Sequence, residues 1–144
     1  RRRLARCNAR STGTNDHQEL LQTVLESRCM KVIMLGSGTS TGVPRIGNDW
    51  GECDPEEPKN RRTRVSILVE SDQGSRLVID TSTDMRQQFL ANKIDRIDGV
   101  FWTHDHADHC HGIDDLRVLR YGRKDSIPGY ASAETVRRLR QRFD

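Results

Sequence analysis

Aromatic residues supply only 5% of the 144-residue chain and hydrophobic residues 33%, and the mean hydropathy is -0.79. Proteins that grip single-stranded nucleic acid set aromatic stacking platforms beside a basic face. Such platforms are scarce here, so bulk nucleic-acid binding is not the expected role. No stretch approaches the roughly 18 apolar residues of a membrane-spanning helix, and Arg1 to Arg3 are followed by no apolar signal core. A membrane partner is therefore not expected, and a reducing, cytoplasmic setting is. Cysteine is sparse as well: Cys7, Cys29, Cys53 and Cys110 lie far apart without a CxxC pair, which fits neither a disulfide scaffold nor a zinc knuckle.

What charge there is falls unevenly. The net +3 comes from 6 basic against 3 acidic residues in 1–29, 10 against 15 in 30–116, and 8 against 3 in 117–144. The ends are basic and the middle is acidic. Solvated helix faces account for the basic ends, while an acidic centre suits cations better than bare phosphate. The length fits one ordinary domain, and the low apolar content for that length is what a fragment of a larger domain shows.

The chain divides at residue 30. Residues 1–15 are polar and aperiodic, and Asp16 with Glu19 forms a capping-box pattern ahead of Leu20, Leu21, Val24 and Leu25, which predicts a short helix ending near Arg28. Residues 1–29 read as an upstream extension or as an ordinary N-terminal helix. From Lys31 the pattern changes. Val32 to Leu35 reads as a buried strand closed by Gly36-Ser37-Gly38, and residues 36–64 as a long loop, which inside a compact domain argues for function. Val65–Glu70 and Arg76–Asp80 form a hairpin. Thr83 or Asp84 caps a helix to about Asn92, with Met85, Gln88, Phe89 and Asn92 on one face. Gly99–Trp102 is the next strand, Gly112–Leu119 a helix turning Ile113, Leu116 and Leu119 inward, and Pro128–Ala131 a short strand. Ser132 caps a last helix that carries Val136, Leu139 and Phe143. Strands alternating with helices predict an α/β layered domain.

The chemistry concentrates in one place. His104, His106, His109 and His111 fall within eight residues, with Asp105 and Asp108 among them, directly after the apolar strand. A strand ending in polar groups delivers them to the carboxyl edge of a sheet, where open α/β sheets place ligands. In an extended stretch residues two apart point the same way, so His104 and His106 can face one cation. A turn into a helix then brings Asp108 and His109 round to a second. Imidazole and carboxylate suit zinc, manganese or iron(II), and two cations about 3.5–4 Å apart can hold a hydroxide and clamp a displacement. Asp105 lies on the alternate face, where it either orients an imidazole or stays solvated. His111 fits a supporting position better than a ligand position.

Thr103-His-Asp-His-Ala-Asp-His109 resembles the HxHxDH signature of the metallo-β-lactamase-fold hydrolases. The resemblance extends to Leu35-Gly-Ser-Gly-Thr-Ser-Thr-Gly-Val-Pro-Arg45, Asn60-Arg-Arg-Thr-Arg-Val-Ser66 and Leu77-Val-Ile-Asp-Thr81, over roughly residues 30 to 144. It looks like the branch of phosphodiesterases that includes the cyclic phosphodiesterase of phosphonate breakdown and, more distantly, the tRNA 3′-end processing nucleases. The resemblance implies an αββα sandwich of two similar halves, of which residues 30–144 are the first, and two divalent metals, zinc before manganese or iron. His104 and His106 would ligate the first metal, and Asp108 and His109 the second. The third histidine, the bridging aspartate and the last histidine lie C-terminal to the motif in that family, and no histidine follows His111 here. Truncation is the expected reason, and the chain alone is expected to be inactive.

Several residues have two readings. Asp80, at a strand end, either holds an imidazole nitrogen or ties down the following turn. The loop Gly36 to Gly42, with Ser37 and Thr39, lacks a P-loop pattern; it either brings polar groups toward an anion or simply packs. Arg61, Arg62 and Arg64 are either phosphate ligands or a solvated loop, and alternation sends Arg62 and Arg64 to one side and Arg61 to the other. Cys53, alone in its loop, argues against a separate zinc site there. The expected function is hydrolysis of a small cyclic or nucleotide-like phosphodiester by a metal-bound hydroxide. RNA 3′-end processing and a non-catalytic metal or nucleotide binding fragment are the alternatives, and a homodimer is compatible with either.

Overall fold

The computed structural model describes residues 29–143; the expected helix over Asp16 to Arg28 lies outside the described residues. Five strands form one sheet in the order β1-β2-β3-β4-β5: Met30–Gly36, Ser66–Ser71, Arg76–Ile79, Gly99–Phe101 and Gly129–Tyr130. The first three run antiparallel, and β3, β4 and β5 are parallel. Helices α1 (Met85–Asn92), α2 (Ala107–Cys110), α3 (Leu116–Leu119) and α4 (Ala133–Phe143) occupy the connections and the chain end. The hairpin falls where the Gly74 turn and its flanking alternation predict it.

Cross-strand register separates two faces. Ile33, Leu68, Val78 and Val100 are aligned in one row, and the last three are essentially buried. Met85 and Phe89 of α1, Ile97, Trp102, Cys110 and Leu139 of α4 complete this core, with Ile113, Leu116 and Leu119 packed at its margin. Full burial of each large apolar side chain stabilises the fold by about 1.5–3 kcal/mol. On the opposite face Met34, Ile67, Ile79 and Phe101 stand in register, and Met34 is 61% exposed. This corrects the expectation that Val32–Leu35 is buried throughout. The strand lies at the sheet edge and exposes Met30, Val32 and Met34, a placement that an unbroken apolar run cannot reveal.

Local details differ for physical reasons. Asp84 occupies the N-cap position of α1 but makes no capping bond. Its carboxylate instead accepts from the Arg64 backbone N and Nη1, each at 2.8 Å. The helix expected over 112–119 is a 3-10 turn, Ile113–Asp115, followed by the single turn of α3. Gly112 is pressed against the β3–α1 connection, where a Cβ would stand 2.1 Å from the Ser82 carbonyl oxygen. Strand β5 shortens to two residues, and Gly129 lies under Trp102, whose ring an added Cβ would strike at 2.4 Å. Ser132 caps α4 as expected, its Oγ accepting from Thr135 N at 3.2 Å. Cys53 and Cys110 carry free thiols, the first exposed and the second buried. No helix among the described residues is long and apolar enough to cross a membrane.

Candidate metal centre

Strands β1, β3 and β4 point the same way, so the segments following them gather at one edge of the sheet. These are the 37–65 loop, residues 80–84 and the histidine segment. Trp102 anchors the last of them: its backbone N donates to Tyr130 O at 2.8 Å and its Nε1 to Thr81 Oγ1 at 2.9 Å. The chain bends at Thr103 and is extended at His106, which occupies the N-cap position of α2, the helix bearing Asp108 and His109. The imidazoles of His104, His106 and His109 converge, with ring centroids 4.5 Å apart for His104 and His106 and 4.0 Å for His104 and His109. Asp108 Oδ2 lies 3.4 Å from His109 Nε2.

Asp80 organises this cluster. It is 4% exposed, and its backbone takes a left-handed φ of 64°, a conformation that aspartate tolerates better than most residues. Its Oδ1 accepts from Thr103 N at 2.8 Å, and Oδ2 meets both Thr103 Oγ1 and His109 Nδ1 at 2.7 Å. Thr103 Oγ1 is also 2.9 Å from His104 Nδ1. A hydroxyl has one proton; spent on Asp80, it leaves Thr103 Oγ1 to accept from His104 Nδ1–H. His109 Nδ1–H donates directly to Asp80. Both rings are thereby held in the tautomer that keeps the Nε2 lone pair open, which is how carboxylates prepare imidazoles for metals. The Asp80 backbone carbonyl in addition accepts from Ser66 Oγ at 2.9 Å, which fixes the residue against β2.

This donor set fits divalent metal, but as an incomplete shell. Among the described residues no group of three or more His, Cys, Asp or Glu side chains is arranged around a single point.

Asp105 is neither solvated nor aimed at an imidazole. Arg138 Nη1 reaches its Oδ1 at 3.4 Å and Arg142 Nη2 its Oδ2 at 3.1 Å, while Arg142 Nη1 also donates to the Asp105 carbonyl. Helix α4 thus clamps the segment between the first two histidines. Cys110 is buried, its Sγ donating to Asp105 O at 3.3 Å, and burial pushes its thiol above the ordinary range despite Arg142 nearby. His111 is exposed and meets Phe143 edge-on at 5.7 Å. Thr81 and Thr103 stood in the sequence only as members of the resembling motifs and Trp102 only as a strand end, and Arg138 and Arg142 carried no signal of their own.

The glycine-rich loop packs. A Cβ on Gly36 would stand 2.0 Å from Arg64 O and one on Gly38 2.7 Å from Thr63 O, so these glycines let residues 36–38 lie against 62–64. Arg64 is committed to Asp84 and to Ser40 O at 3.0 Å. Arg62 Nη1 touches Ser37 Oγ at 3.4 Å, and Thr39 Oγ1 lies 3.1 Å from Thr41 Oγ1. Arg61, Arg62 and Arg64 all contribute to the lining of one groove, but their side chains take different partners: Arg61 lies over the Trp50 ring, Arg62 reaches Ser37, and Arg64 reaches Ser40 O and Asp84.

Comparison with known proteins agrees with this architecture. Residues 75–144 match the beta-lactamase superfamily domain. A curated octanoyltransferase of Porphyromonas gingivalis (strain ATCC BAA-308 / W83) is 44% identical over 114 residues, covering 79% of this chain and 23% of that protein. The crystal structure of a diphosphatase from the PhnP family superposes with a TM-score of 0.73 at 42% identity, over 80% of this chain and 46% of that one. YhfI from Bacillus subtilis, a metallo-β-lactamase fold protein, matches with a TM-score of 0.51 at 18% identity, over 78% of this chain and 40% of that one. The chain thus spans under a quarter of the curated relative and about half of the diphosphatase. Its mixed sheet and flanking helices are typical of a partial metallo-β-lactamase αββα sandwich.

Proposed function

We propose that this chain contributes the HxHxDH half of a two-metal hydrolase acting on phosphodiesters of small cyclic or nucleotide-like substrates. The observation that carries the reading is the Asp80–Thr103–His104 and Asp80–His109 hydrogen-bond array, which leaves two imidazole Nε2 atoms open beside His106 and Asp108. His104 and His106 would hold one ion, and Asp108 and His109 the other, zinc suiting the donors best and manganese or iron(II) next. Bound there, the metals would supply a hydroxide nucleophile at neutral pH and neutralise charge developing on phosphorus. Asp80 and Thr103 fix the imidazoles, and the Arg138–Arg142 clamp holds the backbone between them. Residues 30–144 act in this reading as the N-terminal portion of the domain, the remaining ligands lying in the other half of the sandwich.

Phosphoanhydride cleavage is a second reading of the same centre. The 42% identity to a protein described as a diphosphatase favours it, and anhydride and diester present the same tetrahedral phosphorus to the metals. Acyl transfer gains less support. The match covers only 23% of the octanoyltransferase, and the one thiol of the centre, Cys110, is fully buried with its ionisation suppressed, which is unlike an activated nucleophile. The decisive experiment measures bound metal and turnover of bis-p-nitrophenyl phosphate, a diphosphate, a β-lactam and a thioester in the polypeptide carrying both halves. Preferential turnover of the β-lactam or thioester would overturn the assignment.

A further inference from the structure

A second feature stands at the same sheet edge: a groove of about 260 Å³ between residues 41–46 and 61–64, reaching Asp84 at the start of α1. Four arginines line it, Arg45, Arg61, Arg62 and Arg64, against a single acid, Asp84, both of whose oxygens are committed to Arg64. Arg45 meets Asp49 at 3.2 Å in a pair more than half exposed, which water screens. Arg61 lies over the Trp50 ring at 5.1 Å, a contact that leaves its hydrogen-bond donors largely free. Arg62 has no carboxylate partner among the described residues, and its 3.4 Å contact with Ser37 Oγ is long for a hydrogen bond.

The walls are built rather than loose. Val43 and Arg62 exchange two backbone hydrogen bonds at 2.9 Å, and the close approach of Gly36 and Gly38 fixes residues 62–64 from behind. The rim is apolar, with Pro44 and a 97% exposed Ile46. Position matters as much as charge. Asp84 is four residues from Asp80, which holds His109, and four residues of chain span at most about 14 Å.

We propose that this groove binds a second phosphate group of the substrate, remote from the scissile phosphorus, with Arg62 as its principal ligand and Arg45 and Arg61 closing around it. Guanidinium groups from opposing walls match a tetrahedral dianion, to which each can present paired donors. Apolar contact with Ile46 and Pro44 suits the organic portion joining the two phosphates. The proposal rests on the phosphodiester reading, since it assigns the far end of that substrate.

Two measurements separate the two claims. In EDTA, with no metal present, pyrophosphate is titrated calorimetrically into the chain, into Arg62→Ala and into Arg137→Ala, a charge control on α4. Arg62→Ala should weaken binding by about tenfold or more, Arg62→Lys should restore part of it, and Arg137→Ala should match the parent; equal losses in both alanine variants, or no binding to the parent, would overturn the groove. In the metal-loaded polypeptide carrying both halves, KM is compared for thymidine 5′-(p-nitrophenyl phosphate) with and without a 3′-phosphate. The 3′-phosphate should lower KM in the parent, and Arg62→Ala should bring the two values together; a ratio unchanged by Arg62→Ala also overturns the proposal. Absence of turnover on both diesters would sink the phosphodiester reading while the EDTA titration still decides the groove.

Discussion

Asp80 Oδ2 stands 2.7 Å from His109 Nδ1, so the carboxylate ending β3 holds a candidate ligand carried by α2. Replacing it with asparagine keeps the shape and inverts one contact. An amide NH2 facing Nδ1–H would drive the ring into the other tautomer, and the acceptor serving Thr103 Oγ1 would be lost with it. Asp80→Asn should therefore lower metal affinity by roughly 10–100-fold, read by competition with a chromophoric chelator. Unchanged affinity would show that Asp80 serves only the turn.

His106 and His111 should behave differently although both belong to the same histidine run. His106 lies beside His104 in the converging cluster, whereas His111 is exposed against Phe143. In the zinc-loaded polypeptide carrying both halves, His106→Ala should lose bound metal and turnover, and His111→Ala should retain stoichiometric metal with activity within a few-fold of the parent. Plasma emission analysis after gel filtration reads the first outcome. Loss of metal from His111→Ala would move that residue into the ligand set.

The histidine segment was legible because its chemistry is local: an apolar strand, alternation and a turn suffice to bring His104, His106, Asp108 and His109 together. The β2–β3 hairpin and α1 were legible for the same reason, since period and turn residues specify them. The clamp on Asp105 was not, because Arg138 and Arg142 lie more than thirty residues along the chain and look like any solvated arginines of an amphipathic helix. Asp84 misled in the opposite way. Its place before α1 reads as a cap, but an arginine twenty residues earlier competes for the same carboxylate, and a charge-assisted bond outweighs a neutral cap. The edge position of β1 depends on strand order, which no local pattern encodes.

The Glu70–Arg76 pair, at 2.7 Å across β2 and β3, should give the hairpin a pH-dependent contribution. Arg76 holds the Glu70 carboxyl below its usual 4.5, first through their hydrogen bond. A carboxyl whose folded value is depressed stabilises the fold above the unfolded value and loses that contribution as pH falls through the folded one. Arg76→Met should thus cost about 1 kcal/mol at pH 7 and progressively less below pH 4.5. Urea unfolding at pH 7 and pH 3 reads the difference; an equal cost at both would assign the effect to packing of the arginine stem.

The open sheet face offers the sharpest test of the half-sandwich. Met34, Ile67, Ile79 and Phe101 form one apolar row across four strands, and Met34 and Phe101 at its ends retain 61% and 36% exposure. An αββα sandwich packs its two sheets face to face at about 10 Å, which would bury that row. In the 144-residue chain, Met34→Ala and Phe101→Ala remove side chains that water already reaches, so each should change stability by less than about 1 kcal/mol. In a polypeptide carrying the second sheet the same substitutions should leave cavities and cost about 2–5 kcal/mol. Equal effects in the two settings would mean that nothing packs on this face. A larger effect only in the longer polypeptide would place the partner sheet there and, with it, the remaining metal ligands within reach of His104 to His109.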